Sequence, residues 1–260
     1  MINQEQMDNN WTELMSIIDK HFEGEQKENI LKLHSDFEDE YKTAPASGRP
    51  NYHNCFKGGY LDHILHVIKN SLMIKRQYES NGVKVIHSDS DVVLAAMFHD
   101  LGKLGDGTQP YYKYQNDDWR RKKLNEWFTQ NPEIQYMSVT DRALYLLQHF
   151  GIKMTENEYL GLRLTDGLYE EANKTYYMNW SKDNQLKSNI AYILHQADMM
   201  ATKIEYNEWQ RDDYSYNTEF GDGKTKEEMK KIDKQNMESM SKKKEESKRS
   251  HELFKELFDE

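Results

Sequence analysis

Val92-Val93-Leu94-Ala95-Ala96-Met97-Phe98-His99-Asp100-Leu101-Gly102-Lys103 is the segment around which this chain is organised. Its apolar run predicts a buried helix, and at the inner end of that helix stand His99 and Asp100, two side chains of metal-ligand type. Burying them without partners would cost several kcal/mol, roughly 2–7 for a polar group and more for a charge. Neighbouring side chains on a helix diverge by about 100°, so a shared cation would sit between them. Lys103 follows His99 by four positions and Asp100 by three, and so projects the same way. A metal with a fixed cation beside it is a geometry suited to phosphate. The plainer alternative is a surface His-Asp pair with Gly102 as helix C-cap; the apolar helix and the partner residues found elsewhere favour the first reading.

The bulk numbers narrow the class. A chain of 260 residues with 37% hydrophobic and 31% charged residues, 13 Gly and 4 Pro suits a helical protein with one good core, alone or with an appendage. The single Cys55 excludes an internal disulfide and a multi-cysteine zinc cluster, and no apolar run approaches the ~20 residues of a membrane span. Residues Met1 to Asn10 are polar and have no signal-peptide core, so a soluble protein of a reducing cytoplasm is expected. The formal charge of -10 argues against holding long nucleic acid by a general basic field. Residues 223–260 carry eleven Lys or Arg and ten Asp or Glu, which leaves 24 basic and 35 acidic groups in the first 222. The body is the acidic part.

In chain order, apolar spacing predicts two helices between Trp11 and Tyr41, broken near Glu23-Gly24, that cover a core. A Pro- and Gly-containing loop, residues 44–50, leads to His53 and to Gly58-Gly59, where the backbone can approach a neighbour closely. A helix over about Tyr60–Tyr78 follows, with Leu61, Ile64, Leu65, Ile68 and Leu72 in one stripe and His63 beside it. Residues 105–132 form a polar, aromatic insert containing Arg120. It is either a lid that stacks a base and holds phosphate, or an amphipathic helix with a solvated basic face. Val139 to Phe150 ends at Gly151, a natural C-cap, with His149 in the last turn, where it either contacts substrate or complements the helix dipole. Thr155 to Glu158 has capping-box form and starts a short helix that stops near Asp166-Gly167. Last comes a long helix with Leu186, Ile190, Ile193, Ala197, Met200 and Ile204 on its seam, and with His195 and Asp198 beside it. After Gly223 the text is rich in Lys, Glu and Met. A charged tail, helical or disordered, is expected there, and Leu253, Phe254, Leu257 and Phe258 could join two subunits.

The order His63, His99-Asp100, Asp198 on three helices resembles the HD superfamily of metal-dependent phosphohydrolases. Gly58-Gly59-Tyr60-Leu61-Asp62-His63-Ile64-Leu65-His66-Val67 looks like that family's Gly-Gly-Leu-Leu-Glu-His-Thr-Leu opening helix. Met97 to Lys103 is similar to its His-Asp-Leu-Gly-Lys turn, and His195-Gln196-Ala197-Asp198 to its closing His-x-Ala-Asp. The likeness spans residues 52–206. It implies an all-α, compact HD-type helical bundle in residues 1–222, with N-terminal helices over 10–42 covering a core of 52–206 and the tail at 223–260. It also implies hydrolysis of a phosphoester or phosphoanhydride bond, with His63, His99, Asp100 and Asp198 as ligands of a divalent ion. Two imidazoles and two carboxylates suit Mn, Fe, Ni, Co, Zn or Mg. Family members with two metals carry further histidines between the His-Asp pair and the final Asp. This interval holds only His149 and His195, so one metal per site is expected, with Asp166 standing where another ligand would be sought.

On this reading Lys103 neutralises charge developing on the phosphoryl oxygens and Asp100 shares the attacking water as a base. His53, Arg120, His149, Asp166 and His195 are candidates for touching substrate or orienting the ligands. A small nucleotide is the expected substrate, because the superfamily often uses nucleotides, the insert offers aromatics and the acidic exterior disfavours bulk nucleic acid. Two alternatives remain: a 3′-to-5′ exonuclease, which would lack any recognisable OB-type strand-holding domain here, and a regulatory module that keeps a metal or nucleotide without turnover.

Overall fold

The elements follow from the pattern of caps and apolar stripes, and a computed structural model describes them for residues 2–210. The expected tail at 223–260, its docking residues and the domain limit at 222 lie outside those residues. The chain divides between residues 214 and 215, so every described residue belongs to the first of its two units.

The N-terminal cover consists of three helices rather than the expected two: α1 (Gln4–His21), α2 (Gly24–Asp36) and α3 (Glu38–Thr43). The extra break falls at Phe37, which is buried and leaves helical geometry between α2 and α3. Then come α4 (Gly59–Ser80) and α5 (Asp89–Phe98), a 3₁₀ turn at Leu101–Leu104, strand β1 (Tyr112–Tyr114), α6 (Asp118–Leu124) and strand β2 (Phe128–Gln130). The last elements are α7 (Val139–His149), α8 (Glu156–Arg163), the short α9 (Lys174–Tyr177) and α10 (Ile190–Gln210). The fold is all-α, with one two-stranded hairpin as its only sheet among the described residues. No described helix is long and apolar enough to cross a membrane.

Helix α5 is the centre. All residues from Val92 to Phe98 are buried, so it is apolar on every side and must be enclosed. α4, α8 and α10 pack around it, and α1 and α3 close over α4. The five larger side chains of that run contribute on the order of 10 kcal/mol by burial, before the entropy of ordering the chain is subtracted. A reciprocal capping box between Ser88 and Asp91 starts the helix.

Two glycines let backbone approach backbone at the places that shape the site. A Cβ on Gly59 would run into the carbonyl of Asn54, so the loop before α4 can fold flat onto the helix start. A Cβ on Gly102 would run into the carbonyl of Val139. The first turn of α7 therefore sits directly against the 3₁₀ turn after His99-Asp100. Gly102 lies inside that turn, and the residue that ends α5 is His99.

The insert does contain a short helix whose Arg120, Lys122 and Lys123 are exposed, one of the two forms expected for it, but that helix is set inside a hairpin that neither expectation included. Residues 112–130 form an antiparallel hairpin, with Tyr112 opposite Gln130 and Tyr114 opposite Phe128, and α6 lies between the strands. Three of its cations have partners close by in the chain: Arg120 donates to Glu126 at 3.2 and 3.3 Å, Arg121 is buried against Tyr114 and Asp118, and Lys113 pairs with Glu133.

Candidate metal centre

Three helices deliver four ligand-type side chains to one point. His63 is in the second turn of α4, His99 ends α5 with Asp100 directly after it, and Asp198 lies midway along α10. His63 Nε2 lies 3.3 Å from Asp198 Oδ1 and 3.9 Å from Asp100 Oδ2. His99 Nε2 lies 3.5 Å from Asp100 Oδ2 and 3.9 Å from Asp198 Oδ1. Ligand atoms held ~2.1 Å from a common ion stand roughly 3.0–3.4 Å apart, so these separations need only a small contraction.

Both imidazoles are set to present Nε2. His99 Nδ1–H donates to the Ala96 carbonyl at 2.8 Å, and His63 Nδ1 faces both carboxylate oxygens of Glu205 at 3.1 Å. The two Nε2 atoms are buried and make no hydrogen bond. Leaving buried polar atoms unmatched is costly. A mixed nitrogen and oxygen donor set converging on such atoms fits a divalent cation, and His63, His99 and Asp198 meet the spacing required of a ligand group.

The electrostatics also favour positive charge at this point. Burial opposes protonation of His63, yet the carboxylates of Glu205 and Asp198 outweigh it and raise the imidazole to about 10. His99 is raised too, against its burial, by Asp100 and Asp198. Burial would raise Asp198, but His63 and His99 hold it down to about 2. Asp100 is held well below the usual carboxylate range by Lys103 and His99, again against burial. Whether protons or a cation carry the positive charge, the carboxylates are arranged to meet it.

Glu205 is the functional-type residue that pattern reading misses. It is fully buried, and besides His63 it accepts from His66 Nδ1 at 2.9 Å. Burial would raise its carboxyl, but the two histidines bring it to about 2. The seam expected on α10 continued through Met200 and Ile204, which are 39% and 43% exposed. Ile190, Ile193 and Ala197 are buried as expected, but the buried stripe then continues through Ala201 to Glu205, and Leu186 precedes the helix. Following apolar side chains led away from the true face, because the face ends in a carboxylate. Two signals pointed to Glu205: Ala201 continues the stripe, and Glu205 stands seven residues, two turns, after Asp198.

Around the cluster, Lys103 Nζ bonds Asp100 Oδ2 at 2.6 Å, as the spacing suggested. His195 Nδ1 donates to the Thr165 carbonyl at 2.7 Å and so fixes the turn that carries Asp166. Asp166 is raised by desolvation and by the charges of Asp100 and Asp198. The ring of His53 lies 4.6 Å from that of His63, with neither of its nitrogens hydrogen-bonded. Burial, then His63 and Lys103, lower His53 to about 3, so it is neutral at ordinary pH. Asp62 stitches this wall together by accepting from Asn10 at 3.1 Å and from Asn54 at 3.0 Å.

Two cavities flank the cluster. One, of about 590 Å³, has His53, Tyr52, Tyr169, His195, Asp198 and Tyr206 on its wall. The other, of about 460 Å³, is lined by His99, Asp100, Lys103, Arg163 and the first turn of α7. Thr165 and Asp166 belong to both walls. The remaining candidates are placed elsewhere. Arg120 is bound to Glu126 in the insert, and His149 is exposed at the end of α7, stacked on Tyr145 and against Phe150. Neither lines a cavity at the cluster, and His149 sits in the last turn of α7.

No family model, no curated protein and no solved structure matches the chain.

Proposed function

We propose that the chain is a divalent-metal-dependent phosphohydrolase of the HD type, acting on a phosphoester or phosphoanhydride bond of a small nucleotide. The observation that carries this reading is the convergence of His63, His99, Asp100 and Asp198, with both buried Nε2 atoms facing carboxylate oxygens at 3.3 to 3.9 Å. These four residues would hold one metal, and when bound it would polarise a phosphoryl oxygen and make water a better nucleophile.

The chain's own groups supply the rest. Lys103, largely buried beside Asp100, neutralises charge that builds on the phosphoryl oxygens in the transition state. Asp100 is a poor base, because Lys103 and His99 hold its proton affinity down. Asp166 is the better proton acceptor: it borders both cavities, and its proton affinity is raised rather than lowered. As the water oxygen bonds to phosphorus and the ester P–O bond breaks, a proton passes from water to Asp166. The departing oxygen takes its proton from solvent.

The test is metal analysis of the purified protein, followed by a turnover panel of mono-, di- and triphosphate nucleotides and short oligonucleotides with and without chelator. Metal-dependent release of phosphate from small nucleotides supports the reading. Stepwise shortening of oligonucleotides would point to an exonuclease instead, and bound metal without turnover of any substrate to a regulatory module.

A further inference from the structure

We infer that the two cavities divide a nucleoside monophosphate between them, with the base among Tyr52, Tyr169 and Tyr206 and a single phosphate at the junction beside Lys103. The phosphate end rests on the reading just proposed; the base end rests on separate observations. Three tyrosines from three elements meet on one wall: Tyr52 from the loop before α4, Tyr169 from the 3₁₀ turn at Gly167–Tyr169, and Tyr206 from α10. Tyr52 and Tyr169 are 51% and 82% exposed, so neither serves the core. Other exposed tyrosines, such as Tyr136 and Tyr145, line neither cavity at the cluster. An aromatic wall beside a phosphate-type site suits a nucleobase, whose π face stacks on tyrosine whatever its sequence identity. The cavity lies within the roughly 300–1,000 Å³ usual for small ligands.

Charge on the opposite side limits the phosphate count. Apart from Asp100, which would hold the metal, the second cavity presents Lys103 and Arg163 against three carboxylates, Asp141, Asp166 and Glu170. Lys103 is already bonded to Asp100, and Arg163 donates to Asn173 at 2.9 Å. A di- or triphosphate extending from the junction into this cavity would bring further negative charge against a net-negative wall. A monophosphate places one phosphate beside Lys103 and sends no further charge along this wall.

The test is titration calorimetry on the full chain loaded with Mn²⁺. The ligands are a hydrolysis-resistant phosphonate analogue of adenosine monophosphate, the base-free ribose phosphonate, and a non-hydrolysable adenosine triphosphate analogue. The nucleoside phosphonate should bind at least tenfold more tightly than its base-free counterpart, and the triphosphate analogue more weakly than the monophosphate. In the Tyr52→Ala/Tyr169→Ala variant the preference for the base should fall about tenfold, equivalent to about 1.4 kcal/mol. A base preference unchanged in that variant, with helical content intact, overturns the stacking assignment. Tighter binding of the triphosphate overturns the single-phosphate assignment. Because these are affinities, they stand apart from catalysis: base-dependent binding with no turnover of any phosphoester would remove the hydrolase reading and keep this one.

Discussion

His63 is held from two directions, and the two contacts ask different things of it. Glu205 grips Nδ1 from the buried side while Nε2 faces Asp198 and Asp100, so the ring has one orientation and one proton-bearing nitrogen available to the carboxylate. Replacing Glu205 by Gln keeps the shape and removes the charge. Metal affinity measured by titration should fall ~10- to 100-fold, the range found when such outer partners are lost. An unchanged affinity would show that Glu205 serves only packing. His63→Ala and Asp198→Ala should instead lose both metal and turnover while the helical spectrum persists. Lys103→Met should keep the metal and lose a factor of ~10² to 10³ in rate, because the ammonium pairs with Asp100 and is not itself a ligand. Residues such as His63, His99 and Asp198 were legible in the sequence because histidine and aspartate are rare beside apolar stripes. Glu205 was harder to read: its place on the stripe after Ala201 shows, but the reason for burying a carboxylate there lies in two histidines about 140 positions away.

At the scale of elements, the site depends on how closely α7 can approach the turn after α5. That approach passes over Gly102, where any side chain would meet the Val139 carbonyl. Gly102→Ala should push the first turn of α7 away and destabilise the protein by about 1–3 kcal/mol, the usual cost of overpacking. It should also lower turnover, since Val139 to Asp141 line the cavity beside Lys103. A thermal melt and activity equal to the parent protein would mean that the two elements are not rigidly apposed. Helices α4, α5 and α8 could be located from apolar periodicity and from the capping box at Thr155. The hairpin could not: its strands are three residues long, show no alternation of burial that a sequence pattern could reveal in β1, and lie among tyrosines and lysines that suit a helix face equally well. Its second strand is also tied to Gly48, whose carbonyl accepts from Trp127 and Phe128, a contact between segments almost eighty residues apart.

For the whole molecule, the buried charges couple stability to pH in a way that reports on the metal. In the metal-free protein His63 is raised to about 10 and His99 is raised as well. Their contribution is therefore complete below the ordinary imidazole value near 6.5 and is lost as pH climbs towards 10. Asp198 and Glu205 are lowered to about 2, so theirs is present above the ordinary carboxyl range near 4 and is lost as pH falls towards 2. These are the same contacts seen from both partners and are not to be added. The metal-free protein should be most stable between about pH 4 and 6.5 and should weaken steadily above that. A bound metal reverses the alkaline arm, because it requires neutral imidazoles and gains affinity as their protons leave. With metal at a hundred times its dissociation constant the stabilisation is about 2.7 kcal/mol, or roughly 5 to 10 °C in midpoint for a body of this size. Thermal unfolding followed by circular dichroism, with chelator and with Mn²⁺ at pH 5, 7 and 9, should show the gap between the two midpoints widening as pH rises. Parallel curves would mean that the ion binds away from His63 and His99, since only ligands that must surrender protons make the benefit of the metal grow with pH.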